Sequence, residues 1–317
     1  MNSSLVPHSS SLLFVVGPTA SGKTALAMAL CEKLDGEIVS MDSMQIYRTL
    51  DIGTGKPSKS ELLQTRHHLI DIINPHQTYS AAQWARAAQI AIDDIRSRGK
   101  TPVVVGGTGF YARALLFPET LASAPPDENL RVRLQQQLEK HGAQWLHNEL
   151  RVLDVAAAER LEINDTRRVI RAIEVAVGGQ SSVVSGQLSE THASSLIPHP
   201  LLFGLEWPRE QLYRRIEKRI EAMLCAGFLD ELRRLNAMKL PETATAIHSL
   251  GYKQMRAALD DESCFDECVA LWKRDTRRYA KRQVTWFRHQ LPTRWINVED
   301  SSDWNRVVDE VALEYSK

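Results

Sequence analysis

Gly17-Pro18-Thr19-Ala20-Ser21-Gly22-Lys23-Thr24 satisfies G-x-x-x-x-G-K-[ST] in full. An apolar run, Leu12 to Val16, precedes it and a helical pattern, Lys23 to Leu34, follows it. Glycines let the backbone curl so that successive N–H groups face phosphate oxygens, and the helix start adds partial positive charge there. Lys23 supplies a point charge to the terminal phosphate, and Thr24 offers a hydroxyl to Mg²⁺. Such a loop leaves the phosphate compound open, because kinases, ATPases and diphosphate-using transferases all use one.

Further candidates follow the loop. Asp42, in Asp42-Ser43-Met44-Gln45-Ile46-Tyr47, stands at the end of a second strand pattern, on the edge of an open parallel sheet that faces a ligand. A carboxylate there can bind Mg²⁺ through water or take a proton from a nucleophile; position alone leaves a helix cap or solvated turn equally open. Ile52-Gly53-Thr54-Gly55-Lys56-Pro57 reads as a flexible basic loop. Gly106-Gly107-Thr108-Gly109 ends another strand and opens a helix, a second place for backbone N–H groups and a hydroxyl to meet anions.

Charge is distributed unevenly. Lys273 to Arg288 contains Lys273, Arg274, Arg277, Arg278, Lys281, Arg282 and Arg288 against one acid, Asp275. On a helix, Trp272, Tyr279 and Trp286 share one face, which reads as core packing. Arg274, Arg278, Lys281 and Arg288 fall opposite, as a surface that tracks phosphates. Arg167, Arg168 and Arg171 form a smaller cluster behind an N-cap at Asp165, with pairing to Glu174 as the plainer alternative. His67-His68 are adjacent on a strand pattern and point to opposite faces, which argues against a shared metal.

The elements that would position these groups alternate. Strand patterns over 12–16, 37–42, 68–73 and 102–105 are separated by helices, one of them capped by Ser80 and stopped by Gly99. Helical patterns over 127–141, 143–150 and 165–177 and a polar stretch, 178–200, come next; 201–205 restores a strand, and the remainder reads as mostly helical. The fold class is therefore α/β: a P-loop NTPase-like parallel sheet flanked by helices, with an inserted helical domain. Residues 1–121 form the first part of the core, 122–197 the insertion, and 198–317 the completion of the core with the basic helix.

Composition sets outer bounds. The 317 residues are 43% hydrophobic and 25% charged, with 39 Lys+Arg against 39 Asp+Glu. This is ordinary for a globular protein, and zero net charge does not exclude a nucleic-acid partner when positive charge is concentrated. The four cysteines, Cys31, Cys225, Cys264 and Cys268, lack metal-site spacing and read as buried free thiols of a reducing cytoplasm. The Ser-rich start, Met1 to Ser11, reads as a frayed tail, and the short apolar run after it as neither signal peptide nor membrane span.

GPTASGKT, DSMQIY, IGTGKP, HHLIDI and GGTGFYARAL occur in this order. With Asn164-Asp165, Arg167, Arg168 and Arg171, with Gly251-Tyr252-Lys253-Gln254, and with Thr276 to Gln283 followed by Thr285-Trp286 and Arg288, they resemble the bacterial tRNA dimethylallyltransferases over about residues 12–298. Ala246-Ile247-His248-Ser249-Leu250, ahead of Gly251, departs from the family pattern.

The resemblance implies transfer of a dimethylallyl group from dimethylallyl diphosphate to N6 of the adenosine 3′ to the anticodon, typically in tRNAs that read codons starting with U. It implies Mg²⁺ as cofactor, dimethylallyl diphosphate and a tRNA anticodon stem-loop as partners, and a cytoplasmic location. Gly17 to Thr24 would hold the diphosphate. Asp42 would be the general base, and Thr108 and Arg219 would steady the leaving group. Asp42, Ser43, Met44, Gln45 and Thr108 would meet the target base and its neighbours. Thr166, Arg167, Arg168 and Arg171 on the insertion, Gly251, Tyr252 and Lys253, and Arg278, Lys281 and Arg282 would meet the rest of the tRNA. Two other readings use some of the same residues: a small-molecule or nucleoside-monophosphate kinase, which leaves the basic helix unexplained, and an RNA-binding NTPase switch, which leaves Asp42 and Thr108 without work.

Overall fold

A computed structural model describes residues 11–118, 127–178, 200–299 and 303–316. The Ser-rich start before Ser11, the polar stretch 179–199 and the expected domain boundaries at 122 and 197 lie outside the described residues.

Among the described residues six parallel strands form one sheet: β1 (Leu13–Val16), β2 (Gly36–Ser40), β3 (His67–His68), β4 (Thr101–Gly106), β5 (Leu201–Glu206) and β6 (Thr293–Asn297), in the order β3-β2-β4-β1-β5-β6. β1 lies between β4 and β5, with Phe14 opposite both Val104 and Leu202. All four residues of β1 are buried, as a central strand covered on both faces requires.

The helices are α1 (Lys23–Leu34), α2 (Lys59–Gln64), α3 (Ala81–Ser97), α4 (Gly109–Leu116), α5 (Glu128–Leu153), α6 (Val155–Arg160), α7 (Thr166–Val177), α8 (Arg209–Cys225), α9 (Phe228–Ala237), α10 (Tyr252–Met255), α11 (Phe265–Gln290) and α12 (Trp304–Tyr315). Ser80 caps α3 through a reciprocal pair with Gln83, and the helix buries Trp84, Ala88, Ala91 and Ile95. Among the described residues no helix is long and apolar enough to cross a membrane.

The chain divides into two compact units, residues 1–116 with 195–317, and residues 117–194. The second has its own core, in which Leu130, Leu134, Leu146 and Leu150 of α5 meet Val169 and Ile173 of α7. Gly142, at φ 81°, breaks α5 into the two stretches read from sequence.

Three expectations need correction. The third strand, expected over 68–73, is only His67–His68, because Leu69 (φ 63°) and Asp71 (φ 57°) leave the extended region; Ile73 keeps one isolated bridge to Tyr47. The sequence pattern shows no strand at β6: only Ile296 of its five residues is buried, so it carries no apolar run. The cysteines are free, but Cys225 is exposed and Cys264 half-buried.

Candidate active site

The ends of three neighbouring strands carry the site. β1 runs into the phosphate loop, β2 into Asp42, and β4 into Gly106-Gly107-Thr108. Gly106 lets two of these ends touch: a Cβ there would stand 2.0 Å from the Met41 carbonyl oxygen. Met41 N–H donates to Val105 O at 2.7 Å and Thr108 N–H to Met41 O at 3.3 Å, so Asp42 and Thr108 leave the sheet side by side.

The phosphate loop is braced from several directions. Lys23 Nζ donates to the Pro18 carbonyl at 2.5 Å. Trp207 Nε1 donates to Ser21 O at 2.9 Å and Arg215 Nε to Ala20 O at 2.8 Å, with the Arg215 guanidinium 4.2 Å above the Trp207 ring. Gln283, buried on α11, accepts the Thr19 N–H at 2.8 Å and donates to the Gly107 carbonyl at 2.9 Å. The Thr19 N–H, expected among the phosphate donors, is therefore engaged by Gln283.

Two cations and one carboxylate converge. Burial, followed by the charge of Arg219, lowers the Lys23 pKa to about 7, against a smaller raising effect of Asp42. Arg219 is also pushed down by burial and supported by Asp42. Lys23 and Arg219 thus share an environment short of negative charge, into which an anion would fit. Asp42, half-buried, accepts N–H groups of Met44 at 2.8 Å and Gln45 at 3.3 Å on the same oxygen, Oδ1. Burial, with a contribution from Asp42, raises the phenol pKa of Tyr111 and of Tyr279.

Thr108 Oγ1 accepts the Ser43 N–H at 3.0 Å and donates to Ser43 Oγ at 3.4 Å. The Gln45 side chain is engaged inside the protein, with Ser40 Oγ at 3.1 Å and the Gly55 carbonyl at 3.1 Å. The 52–57 loop, expected to be flexible, is tied down: Lys56 Nζ bonds Tyr47 O at 2.6 Å and Asp51 at 2.7 Å, and pairs with Asp71. Of Gly251, Tyr252 and Lys253, only Lys253 is exposed; Tyr252 is 1% exposed, which leaves its side chain no face for a nucleic acid.

The basic helix is partly neutralised, contrary to the reading of a single-sign face. Lys273 pairs with Glu221 at 2.7 Å, Arg277 with Glu217 at 2.6 Å, and Arg288 with Glu206. Arg274 and Arg278 share Asp275, at 2.9 and 3.7 Å. Lys281 and Arg282 are exposed and, among the described residues, pair with no carboxylate. Arg278 and Lys281 border a concavity of about 540 Å³ with Arg209, Tyr213, Arg274 and Arg277. The aromatic stripe divides: Trp272 is buried and Tyr279 half-buried, whereas Phe287 takes the core position and half-buried Trp286 meets exposed Phe110 at 5.8 Å. In the helical unit, Arg171 is paired with buried Glu174 at 3.1 Å and Arg168 with Asp165 at 3.3 Å, while Thr166 is half-buried and Arg167 exposed. Asp165 occupies the N-cap position without capping through its side chain.

Among the described residues no group of three or more His, Cys, Asp or Glu could hold a metal. Thr24 and Asp42 offer one hydroxyl and one carboxylate, a donor set that fits Mg²⁺ carried largely by substrate phosphates.

A family model described as IPP transferase matches residues 45–290. The chain belongs to the IPP transferase family. Similar members include the tRNA dimethylallyltransferase of Acetivibrio thermocellus, 40% identical over 94% of this chain and 95% of that one. Another is tRNA dimethylallyltransferase 2 of Geotalea uraniireducens, 44% identical over 92% and 93%. The full-length tRNA isopentenylpyrophosphate transferase of Bacillus halodurans superposes with a TM-score of 0.69 at 34% identity, covering 97% of this chain and 98% of that one. A eukaryotic dimethylallyltransferase acting on tRNA superposes with a TM-score of 0.78 at 27% identity, over 96% of this chain and 78% of that one. The matched region starts beyond the phosphate loop and includes the 52–57 loop, Thr108, Arg219 and Gln283.

Local sequence pattern gives Gln283, Glu231, Arg215 and Trp207 no role of their own. Gln283 had a signal: it falls at a core position of α11, in register with Thr276, Ala280 and Phe287.

Proposed function

We propose that the protein is a tRNA dimethylallyltransferase that moves the five-carbon group of dimethylallyl diphosphate to N6 of the adenosine 3′ to the anticodon. The observation that carries this reading is the convergence of Lys23 and Arg219, both short of solvent, with Asp42 as the carboxylate between strand ends. A diphosphate satisfies both cations, and the carboxylate is left to receive a proton.

An exocyclic adenine amine is a weak nucleophile because its lone pair is delocalised into the ring, so the leaving group must be made good. Lys23, Arg219 and the N–H groups at the start of α1 take up the charge that develops on the diphosphate as the carbon–oxygen bond breaks. The bond from N6 to that carbon forms, and Asp42 accepts the amine proton. Thr24 would help to hold Mg²⁺ carried by the diphosphate, and the ion would add further charge neutralisation there. Thr108 holds Ser43 at the end of β2 and so fixes the segment that carries Asp42.

The target base must leave the anticodon stack to reach Asp42. Exposed Lys281 and Arg282, with Arg278, supply phosphate contacts on α11, and Lys253 adds another cation in the same unit. Arg167 and Arg168, with Thr166, form a second basic surface on the helical unit. We place the reaction in the cytoplasm, with its tRNA substrate.

Incubation with labelled dimethylallyl diphosphate and unmodified tRNA tests the reading. Label should pass to tRNA, ATP should not replace the isoprenoid donor, and a tRNA lacking the adenosine beside the anticodon should remain unlabelled. ATP turnover without prenyl transfer would select the kinase or NTPase readings instead.

A further inference from the structure

Glu231 on α9 is 1% exposed, and its carboxylate has no role in the chemistry above. Oε2 accepts the N–H groups of Asp51 at 2.7 Å and Ile52 at 2.8 Å. Oε1 accepts the Gly53 N–H at 2.8 Å and the Tyr252 hydroxyl at 2.5 Å. All four donors are neutral groups. Burying a carboxylate in this way is costly, and an apolar side chain of similar volume would serve stability at least as well. What the carboxylate supplies, and an apolar group cannot, is a fixed path for three consecutive backbone N–H groups.

That path leads to the site. Gly53 is pressed against the aromatic pair beneath it: a Cβ there would stand 2.5 Å from Phe228 and 2.6 Å from Tyr252. The next carbonyl, of Thr54, accepts a hydrogen bond from Arg219 Nη2 at 3.4 Å. Gly55, at φ 60°, leaves no room for a side chain, since its Cβ would lie 1.9 Å from the same Nη2. The Gly55 carbonyl accepts from Gln45, whose own N–H is held by Asp42. The loop thus lies between the Glu231 carboxylate and the Arg219 guanidinium, touching both.

We propose that Glu231, locked by Tyr252, is a positioning residue for the transfer: it sets the 51–55 loop as the wall that aims Arg219 at the leaving diphosphate. The proposal rests on the reading of Arg219 as a diphosphate-binding group.

Inorganic diphosphate with Mg²⁺ is the probe, because its affinity can be measured whether or not turnover survives. Glu231→Gln keeps the shape but turns an amide N–H toward backbone donors. It should weaken diphosphate binding about tenfold and lower kcat/KM for the isoprenoid diphosphate by at least as much, with the tRNA Kd changed less than about twofold. In an Arg219→Ala background nothing remains to be aimed, and the same substitution should change the diphosphate Kd less than about twofold. Tyr252→Phe retains the ring and removes one donor; its loss of about threefold should disappear in the same background, and this variant carries the test if Glu231→Gln does not fold. Equal losses in both backgrounds, or wild-type diphosphate affinity in the Glu231 or Tyr252 variants, would overturn the positioning role. An Arg219→Ala protein with wild-type diphosphate affinity would instead overturn the reading of Arg219 beneath it.

Discussion

Gln283 and Thr19 are joined at 2.8 Å, side-chain oxygen to backbone N–H, although 264 residues separate them. The same amide donates to Gly107 O, so one side chain on α11 locks the phosphate loop to the loop after β4. Gln283→Glu keeps the acceptor, loses the donor and brings a negative charge to the phosphate loop. The KM for dimethylallyl diphosphate should rise about tenfold or more, equivalent to about 1.4 kcal/mol or more, with tRNA affinity little changed. Steady-state kinetics with each substrate varied in turn would check this.

Asp42→Asn separates the two uses of the carboxyl group. An amide oxygen can still accept from Met44 and Gln45, so the turn after β2 should persist. Proton acceptance is lost, and the transfer rate should fall about 100-fold or more at unchanged tRNA affinity. Single-turnover transfer beside a tRNA binding curve gives both numbers; a variant that keeps most of its rate would remove Asp42 from the chemistry.

Lys23 titrates near pH 7, well below the ordinary lysine value of 10.5. Between these values the folded state binds fewer protons than the unfolded one. Its penalty is fully present below about pH 7 and fades as pH rises toward 10.5, so stability from this group increases over that window. Lys23→Met should flatten the rise in melting temperature between pH 7 and pH 9. Diphosphate binding should restore the proton. At pH 8 the wild type should take up more protons on binding than Lys23→Met, and the difference should shrink as the pH falls below about 7. Calorimetry in buffers of different ionisation enthalpy measures this uptake.

The pairing on α11 ranks its cations. Among the described residues Lys281 and Arg282 pair with no carboxylate, whereas Lys273 and Arg277 are bound to Glu221 and Glu217. Reversing Lys281 and Arg282 to Glu should weaken tRNA binding and reduce the slope of log K against log salt by about one unit per lost phosphate contact. Reversing Lys273 and Arg277 should change the slope less and the melting temperature more. Binding at several salt concentrations, with a melt for each variant, distinguishes the two pairs.

Local pattern carried the phosphate loop, Asp42 at its strand end, and the alternation that builds the sheet, because each is written in consecutive residues. Contacts made across the chain were not legible. The Glu231 carboxylate reaches a loop 178–180 residues away, and nothing local distinguishes it from a surface acid on a helix. Tyr252 sits in a motif that resembles a family signature, yet the structure spends it on Glu231. The acids of α8 that neutralise α11 lie some 50 to 60 residues upstream, so a count along one helix overstates its free charge. β6 escaped notice because an edge strand with one buried residue has no apolar run to read.

Lys23, Arg219 and Asp42 are proposed to form the transfer site for an isoprenoid diphosphate and a tRNA adenosine. The most direct measurement is mass analysis of nucleosides from tRNA incubated with the protein, Mg²⁺ and dimethylallyl diphosphate. One dimethylallyl group is expected on N6 of the adenosine 3′ to the anticodon, formed with one equivalent of released diphosphate and reduced about 100-fold or more in rate by Asp42→Asn. Unmodified adenosine at that position, or modification that persists undiminished in Asp42→Asn, would contradict it.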